Sequence, residues 1–233
     1  MKLFKTLRQT FIKQGSLKRY LLYAIGEILL VMIGISLAFQ LDNWNDNRIK
    51  ENAEIKYYEN IKGQISDDKE LIHSQKDFNN HFMAQFKYAN EIIEANDRSK
   101  LDTLGMIVRN LTQYSDFDRQ GNIYETMVNS GQINLLQNHK IVNGIRELEE
   151  RYIYINRMEE NHFKVILQFG GTFIIDNINF STGEVENPEE IYSFKFQNRL
   201  LAFMIISEEK DVVYHRALIE IDAISELIER ELQ

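Results

Sequence analysis

The chain is predicted to be all-α, with one N-terminal transmembrane helix followed by an elongated bundle of long helices. Three observations predict this. One apolar run is long enough to cross a bilayer. The remainder carries apolar side chains at helical spacing over two stretches of roughly thirty residues or more. The 233 residues include a single proline, Pro188, and proline is costly inside helices, so few turns and long helices are expected. The chain has no cysteine, which excludes disulfides and thiolate metal sites.

The apolar run, Tyr20 to Leu41, spans roughly 30 Å as a helix, the thickness of the hydrocarbon core. Six basic residues precede or abut it: Lys2, Lys5, Arg8, Lys13, Lys18 and Arg19. Lys and Arg mark the cytoplasmic flank, so this topology signal keeps the N-terminus inside and exports residues 42–233. Tyr20 and Tyr23 on the inner side, and Trp44 on the outer, are placed as interfacial anchors. Ser36 and Ala38 have the spacing that a signal peptidase reads, but the length of the run and the absence of a polar region before that site favour a retained anchor. The order is therefore a basic amphipathic cytoplasmic segment (1–19), a transmembrane helix (20–41) and an exported helical domain (42–233).

Glu27 lies inside the apolar run, where a carboxylate must be protonated, paired or turned toward protein or water. On a helix Glu27, Gly34 and Ala38 share one face, and Gly34 with Ala38 allows close approach of a second backbone. That face reads as a packing seam for a homo-oligomer or another membrane protein. Alternatively Glu27 snorkels toward Arg19 or Lys18, or belongs to an ion pathway.

Beyond Trp44, the stripe Tyr58, Ile61, Ile65, Ile72, Phe82, Phe86, Ala89 and Ile93 predicts a helix from about Asp46 to Asn96, with Gly63 or the acidic stretch from Ser66 as possible breaks. Ser99 or Asp102 is expected to cap a shorter helix through Tyr114. Ile123, Met127 and Val128 form one face of a short helix, stopped by a left-handed Gly131. Tyr124, Glu125, Asn129 and Ser130 beside it either line a pocket or satisfy the turn. Asn138 caps a second long helix with the stripe Ile141, Ile145, Leu148, Tyr152, Ile155, His162, Ile166 and Phe169, ended by Gly170 and Gly171. An irregular excursion with a turn at 181–184 leads to Asn187-Pro188, a cap and first-turn pair. The last helix buries Leu218, Ile221, Ile224, Leu227, Ile228 and Leu232.

Two segments, "YLLYAIGEILLVMIGISLAFQLDNWND" and "GNIYETMVNSGQINLLQNHKIVNGIRELEERY", resemble a family of small single-pass bacterial membrane proteins of unknown function. The resemblance implies a Gram-negative inner-membrane protein with a periplasmic helical domain, and it brings no activity with it.

Charge narrows the function classes. Residues 42–233 hold 34 acids against 21 basic residues, which disfavours nucleic acid as a partner. Glu70–His73 and Glu159–His162 both show the E-x-x-H spacing of carboxylate-bridged di-iron bundles, but their neighbours are polar rather than core-like. His73, Asp77 and His81 at four-residue steps form a weaker surface-metal pattern. Phosphate-loop, nucleophile-elbow and zinc-protease motifs are absent. The sequence therefore predicts no metal, no cofactor and no catalysis. It predicts a membrane-anchored assembly or interaction subunit, with a ligand sensor that signals through a partner as the alternative.

Overall fold

The computed structural model describes residues 17–119 and 121–233. Among them the chain is mostly helical, and its only strand-like feature is an isolated antiparallel bridge between Ile178 and Val185. The chain divides into two compact units, Met1–Glu54 and Ile55–Gln233.

In the first unit the described chain belongs to α1 (Leu17–Glu94), and every residue from Ile25 to Asn52 is exposed. The helix continues past Gly63 and the acidic stretch without the break the sequence allowed. It stops where Asn96 takes a left-handed conformation at φ 48°. The basic segment 1–16 lies outside the described residues, as do the side chains of Arg19, Tyr20 and Tyr23.

The second unit is built on three long helices: α1 from Ile55 onward, α4 (His139–Val165) and α7 (Phe194–Glu231). Lys62, Lys69 and Lys76, two turns apart, reach Glu229, Asp222 and Asp211 at 2.8, 2.5 and 2.5 Å, so α1 and α7 run antiparallel. Arg151–Glu220 at 2.6 Å and Asn138–Glu231 at 2.6 Å set α4 antiparallel to α7 in the same way. Asn138 caps α4 as predicted, accepting from the amides of Lys140 and Ile141.

Shorter pieces fill the ends. Asp97, rather than Ser99 or Asp102, caps the turn Arg98–Lys100 that leads into α2 (Leu101–Arg109), because its carboxylate takes both the amide and hydroxyl of Ser99. In α3 (Ile123–Asn129) Ile123 and Met127 are buried, while Val128 is 45% exposed and does not join their face. Gly131 is left-handed at φ 72°, as its position after the helix requires.

The glycines Gly170 and Gly171 do not end the α4 stripe. The chain winds through a π-helical segment, Ile166–Gly171, and continues as α5 (Thr172–Asn177). The wider turn shifts the helical phase, so Phe169 leaves the core and is 47% exposed while Gly170 turns inward. A Cβ on Gly170 would sit 3.0 Å from the Phe203 ring. Asn187 and Pro188 open α6 (Pro188–Ile191), but the Asn187 side chain bonds the Asp176 carbonyl, and the cap of α7 is Ser193.

Gly105 in α2 packs against the 179–184 turn. A Cβ there would collide with the Gly183 carbonyl oxygen and lie 2.8 Å from Val185 Cγ2. Gly105→Ala is expected to destabilise the protein by about 2 kcal/mol in thermal unfolding followed by circular dichroism. Gly63→Ala, which meets nothing within 4 Å, should be neutral or stabilising by up to about 1 kcal/mol.

Candidate functional site: a buried polar layer

The core of the second unit falls into two apolar clusters. One gathers Ile65, Ile72, Leu148, Tyr152, Tyr214 and Ile221, the other Phe86, Leu104, Ile166, Ile174 and Phe203. Between them each long helix places polar residues on its inner face: Asn79 on α1, Glu159 and His162 on α4, Ser207 and Lys210 on α7. These positions fall in the same three- and four-residue steps as the apolar stripes, so helical geometry carries them into the core. The extended segment 113–119 adds Ser115, and all six side chains are 3% exposed or less.

The layer is held by hydrogen bonds between distant elements. Asn79 Nδ2 donates to the Ser207 carbonyl at 2.8 Å. Lys210 Nζ donates to Ser115 Oγ at 2.7 Å, and the Tyr214 hydroxyl lies 2.9 Å from the same oxygen. Tyr214 also hydrogen-bonds Glu159 Oε1, which accepts in addition from the Phe117 amide at 2.9 Å. One hydroxyl proton serves one acceptor. We therefore assign the Tyr214 proton to the Glu159 carboxylate and the Ser115 proton to the Tyr214 oxygen. The result is one directed chain, Lys210 to Ser115 to Tyr214 to Glu159.

Burial governs the titration of these groups. It pushes the Glu159 carboxyl up to about 7, against the pull of Tyr214, the Phe117 amide and the Lys210 charge. It draws Lys210 down to about 8, opposed by Glu159 and Asp116. It lowers His162 to about 3, helped by Lys210, so this imidazole is neutral. Both ring nitrogens of His162 lack a partner, and the ring sits edge-on between Tyr114 at 6.2 Å and Phe203 at 5.9 Å. Earlier along α4, Glu149 forms an ion pair with Arg119 at 2.5 Å, and the guanidinium lies 4.9 Å over the Tyr152 ring. Burial raises Asp68 beside them to about 6, against the nearby Tyr152 hydroxyl and Arg119.

The arrangement holds a lysine and a carboxylate in one closed network with a proton path between them. Each of these side chains is almost wholly shielded from solvent. Lys210 and Glu159 are joined through Ser115 and Tyr214 rather than in direct contact. Buried opposite charges of this kind contribute little net stability compared with apolar packing, and they disfavour alternative packings that would strand a charge.

Sequence reasoning sets Glu159 and His162 aside as ligands because their neighbours in the chain are polar, and the structure corrects the ground for it: both are core residues. Lys210, Ser115 and Tyr214 are not singled out by it. The readable signal was that Glu159 and His162 continue the α4 stripe, and that Lys210 lies in register with Phe203, Ser207 and Tyr214. Glu70 and His73 are exposed on α1, as are Asp77 and His81, and among the described residues no group of three or more His, Asp or Glu converges as a metal site. Glu27, Gly34 and Ala38 share one face of α1 and are exposed; Trp44 is exposed with the Arg48 guanidinium 5.5 Å over its ring. A cleft of about 290 Å³ does lie beside α3, but its walls are Tyr57, Gln64, Gly121, Asn122, Thr126 and Gln132 with their neighbours, not Tyr124, Glu125, Asn129 or Ser130.

Fold and site define an all-helical protein with an N-terminal helix long and apolar enough to cross a membrane, and with a helical domain divided by a closed polar layer. The chain belongs to DUF6090, a family of unknown function, whose model matches residues 27–167. The match begins at Glu27 and takes in Ser115, Glu159 and His162, but not Lys210 or Tyr214. No curated protein and no solved structure matches the chain.

Proposed function

We propose that this is a membrane-anchored protein of the bacterial inner membrane, N-terminus in the cytoplasm and residues 42–233 outside it, that works by binding and assembly rather than by catalysis. The observation that carries the reading is the bare apolar surface from Ile25 to Leu41, whose most apolar 18-residue window has a mean hydropathy of 2.1 with none of it buried. In water that surface would drive aggregation, whereas hydrocarbon covers it along its whole length. The basic residues before it set the direction of insertion. Closure of the polar layer supports a non-catalytic role. A second reading, a sensor that passes a signal to a partner, is favoured by that layer, because a buried pair titrating near neutrality biases helix packing when its protonation changes.

A periplasmic reporter fused after Gln233 is expected to be active, and the intact chain should stay in carbonate-washed membranes. Release of a soluble fragment beginning at Phe39 would show a cleaved signal instead and sink the anchor.

A further inference from the structure

The start of α7 and the π-helical segment Ile166–Gly171 border a groove of about 370 Å³, walled by Phe169, Lys195, Asn198, Arg199 and Ala202. That volume suits a small molecule, whose clefts run to roughly 300–1,000 Å³. The aromatic wall is there because the wide π-helical turn carries Phe169 off the core. Such turns often sit at functional positions.

Charge says what the groove accepts. Lys62, Lys69, Lys76, Lys87 and Arg151 each find an acidic partner on a neighbouring long helix. Lys195 and Arg199 meet none among the described residues, and Arg199 holds its guanidinium 4.7 Å over the Phe173 ring instead. Residues 42–233 carry 34 acids, yet residues 165–175 and 194–207, which build the groove, carry none. Two cations one helical turn apart therefore stand together on an acid-free surface, where each disfavours the other. Lys195 also lies in the first turn of α7, at the positive end of the helix dipole. A divalent anion with several acceptor oxygens offsets all three, and phosphate fits an arginine beside a lysine.

The rim of the groove is apolar. On α7, Phe196, Leu200 and Phe203 face the core, whereas Phe194, Leu201 and Ile205 are exposed. At 100° per residue these three fall within about 60° of Asn198, so they continue the groove wall away from the core. An anion without an apolar part leaves Phe169 and this row in water.

We propose that the groove binds an anionic amphiphile, a phosphate carrying a hydrocarbon chain, with the phosphate between Lys195 and Arg199 and the chain against Phe169 and the Phe194–Leu201 row. The inference goes beyond the anchoring role, because every residue of the groove belongs to the second unit.

The test is calorimetric titration of the full chain in discs of phosphatidylcholine, with empty discs as the blank. The probes are octyl phosphate, octyl glucoside and inorganic phosphate, all below micellar concentrations. Octyl phosphate is expected to bind at least about tenfold more tightly than the uncharged glucoside or the chainless phosphate. Replacing both cations, Lys195→Gln with Arg199→Gln, should weaken octyl phosphate at least about tenfold while the circular dichroism spectrum stays helical. Phe169→Gln keeps both cations and should cost octyl phosphate about fivefold, with no loss for inorganic phosphate. Inorganic phosphate binding as tightly as octyl phosphate would make this a free-anion site and overturn the proposal. Octyl glucoside matching octyl phosphate, or the double variant binding like the parent, would overturn it as well.

Discussion

Replacing Lys210 with methionine is expected to destabilise the protein by about 3 kcal/mol at pH 8, because it leaves the Glu159 carboxylate buried with no cation near it. Nothing else in the layer supplies a compensating charge: Ser115, Asn79 and Ser207 are neutral, and His162 is held in its neutral form. The loss should shrink markedly at pH 5.5, where Glu159, raised to about 7, takes up a proton and the stranded charge disappears. Adding Glu159→Leu to Lys210→Met removes both charges and should restore stability to within about 1 kcal/mol of the parent. Urea unfolding of the full chain in detergent, followed at the helical circular dichroism band, measures the parent, both single variants and the double. Equal losses in the single and double variants would mean that the pair is not electrostatically coupled.

The second large effect is the pH profile. Glu159 and Asp68 have folded values near 7 and 6, above their ordinary 4.5 and 3.8, so the folded protein binds protons that the unfolded chain releases. Their contribution is full below the unfolded values and is lost as pH rises through the folded ones. His162 has the opposite sign. Lowered from 6.5 to about 3, it contributes stability above pH 6.5 that is lost as pH falls through its folded value. Two carboxyls outweigh one imidazole between pH 7.5 and 5, giving a gain on acidification on the order of 1–2 kcal/mol. Lys210, lowered from 10.5 to about 8, contributes stability above pH 10.5 that falls away as pH drops toward 8. Stability from this layer is therefore lowest near pH 7–8, where Glu159 and Lys210 are both charged. Unfolding free energies measured from pH 5 to 8 should show that slope, flattened between pH 4.5 and 7 by Glu159→Gln and between 3.8 and 6 by Asp68→Asn. A parent profile that rises from pH 5 to 8 would contradict the assignment.

Most of the helical architecture was legible because its causes are local. Apolar side chains at three- and four-residue steps select a helix and its buried face, and α1 buries Tyr58, Ile61, Ile65, Ile72, Phe86 and Ala89 as that spacing predicts. Caps and stops are equally local: the Asn138 side chain meets amides two and three residues ahead, and Gly131 answers to its own backbone angle. The failures came where a position's fate depends on a remote element. Phe169 follows the helical period, but the π-helical segment that holds it moves it off the core, and the space it leaves is closed by Phe203 from α7. Val128 has the right spacing for the α3 face and is still 45% exposed, because the described residues from elsewhere in the chain do not close over it.

By itself the sequence determined an all-α chain, an N-terminal run of bilayer length with its basic flank, and the inward faces of the long helices, since each follows from composition and spacing within a few turns. Only the tertiary structure decided that Glu159, His162 and Lys210 are core residues. A charged side chain on an inner face stays buried only when donors and acceptors arrive from elsewhere. Here they come from Ser115, 95 residues before Lys210, and from Tyr214, 55 residues after Glu159. The tertiary structure also separated the two apolar faces of α7, because which one is core depends on where α1 and α4 lie against it.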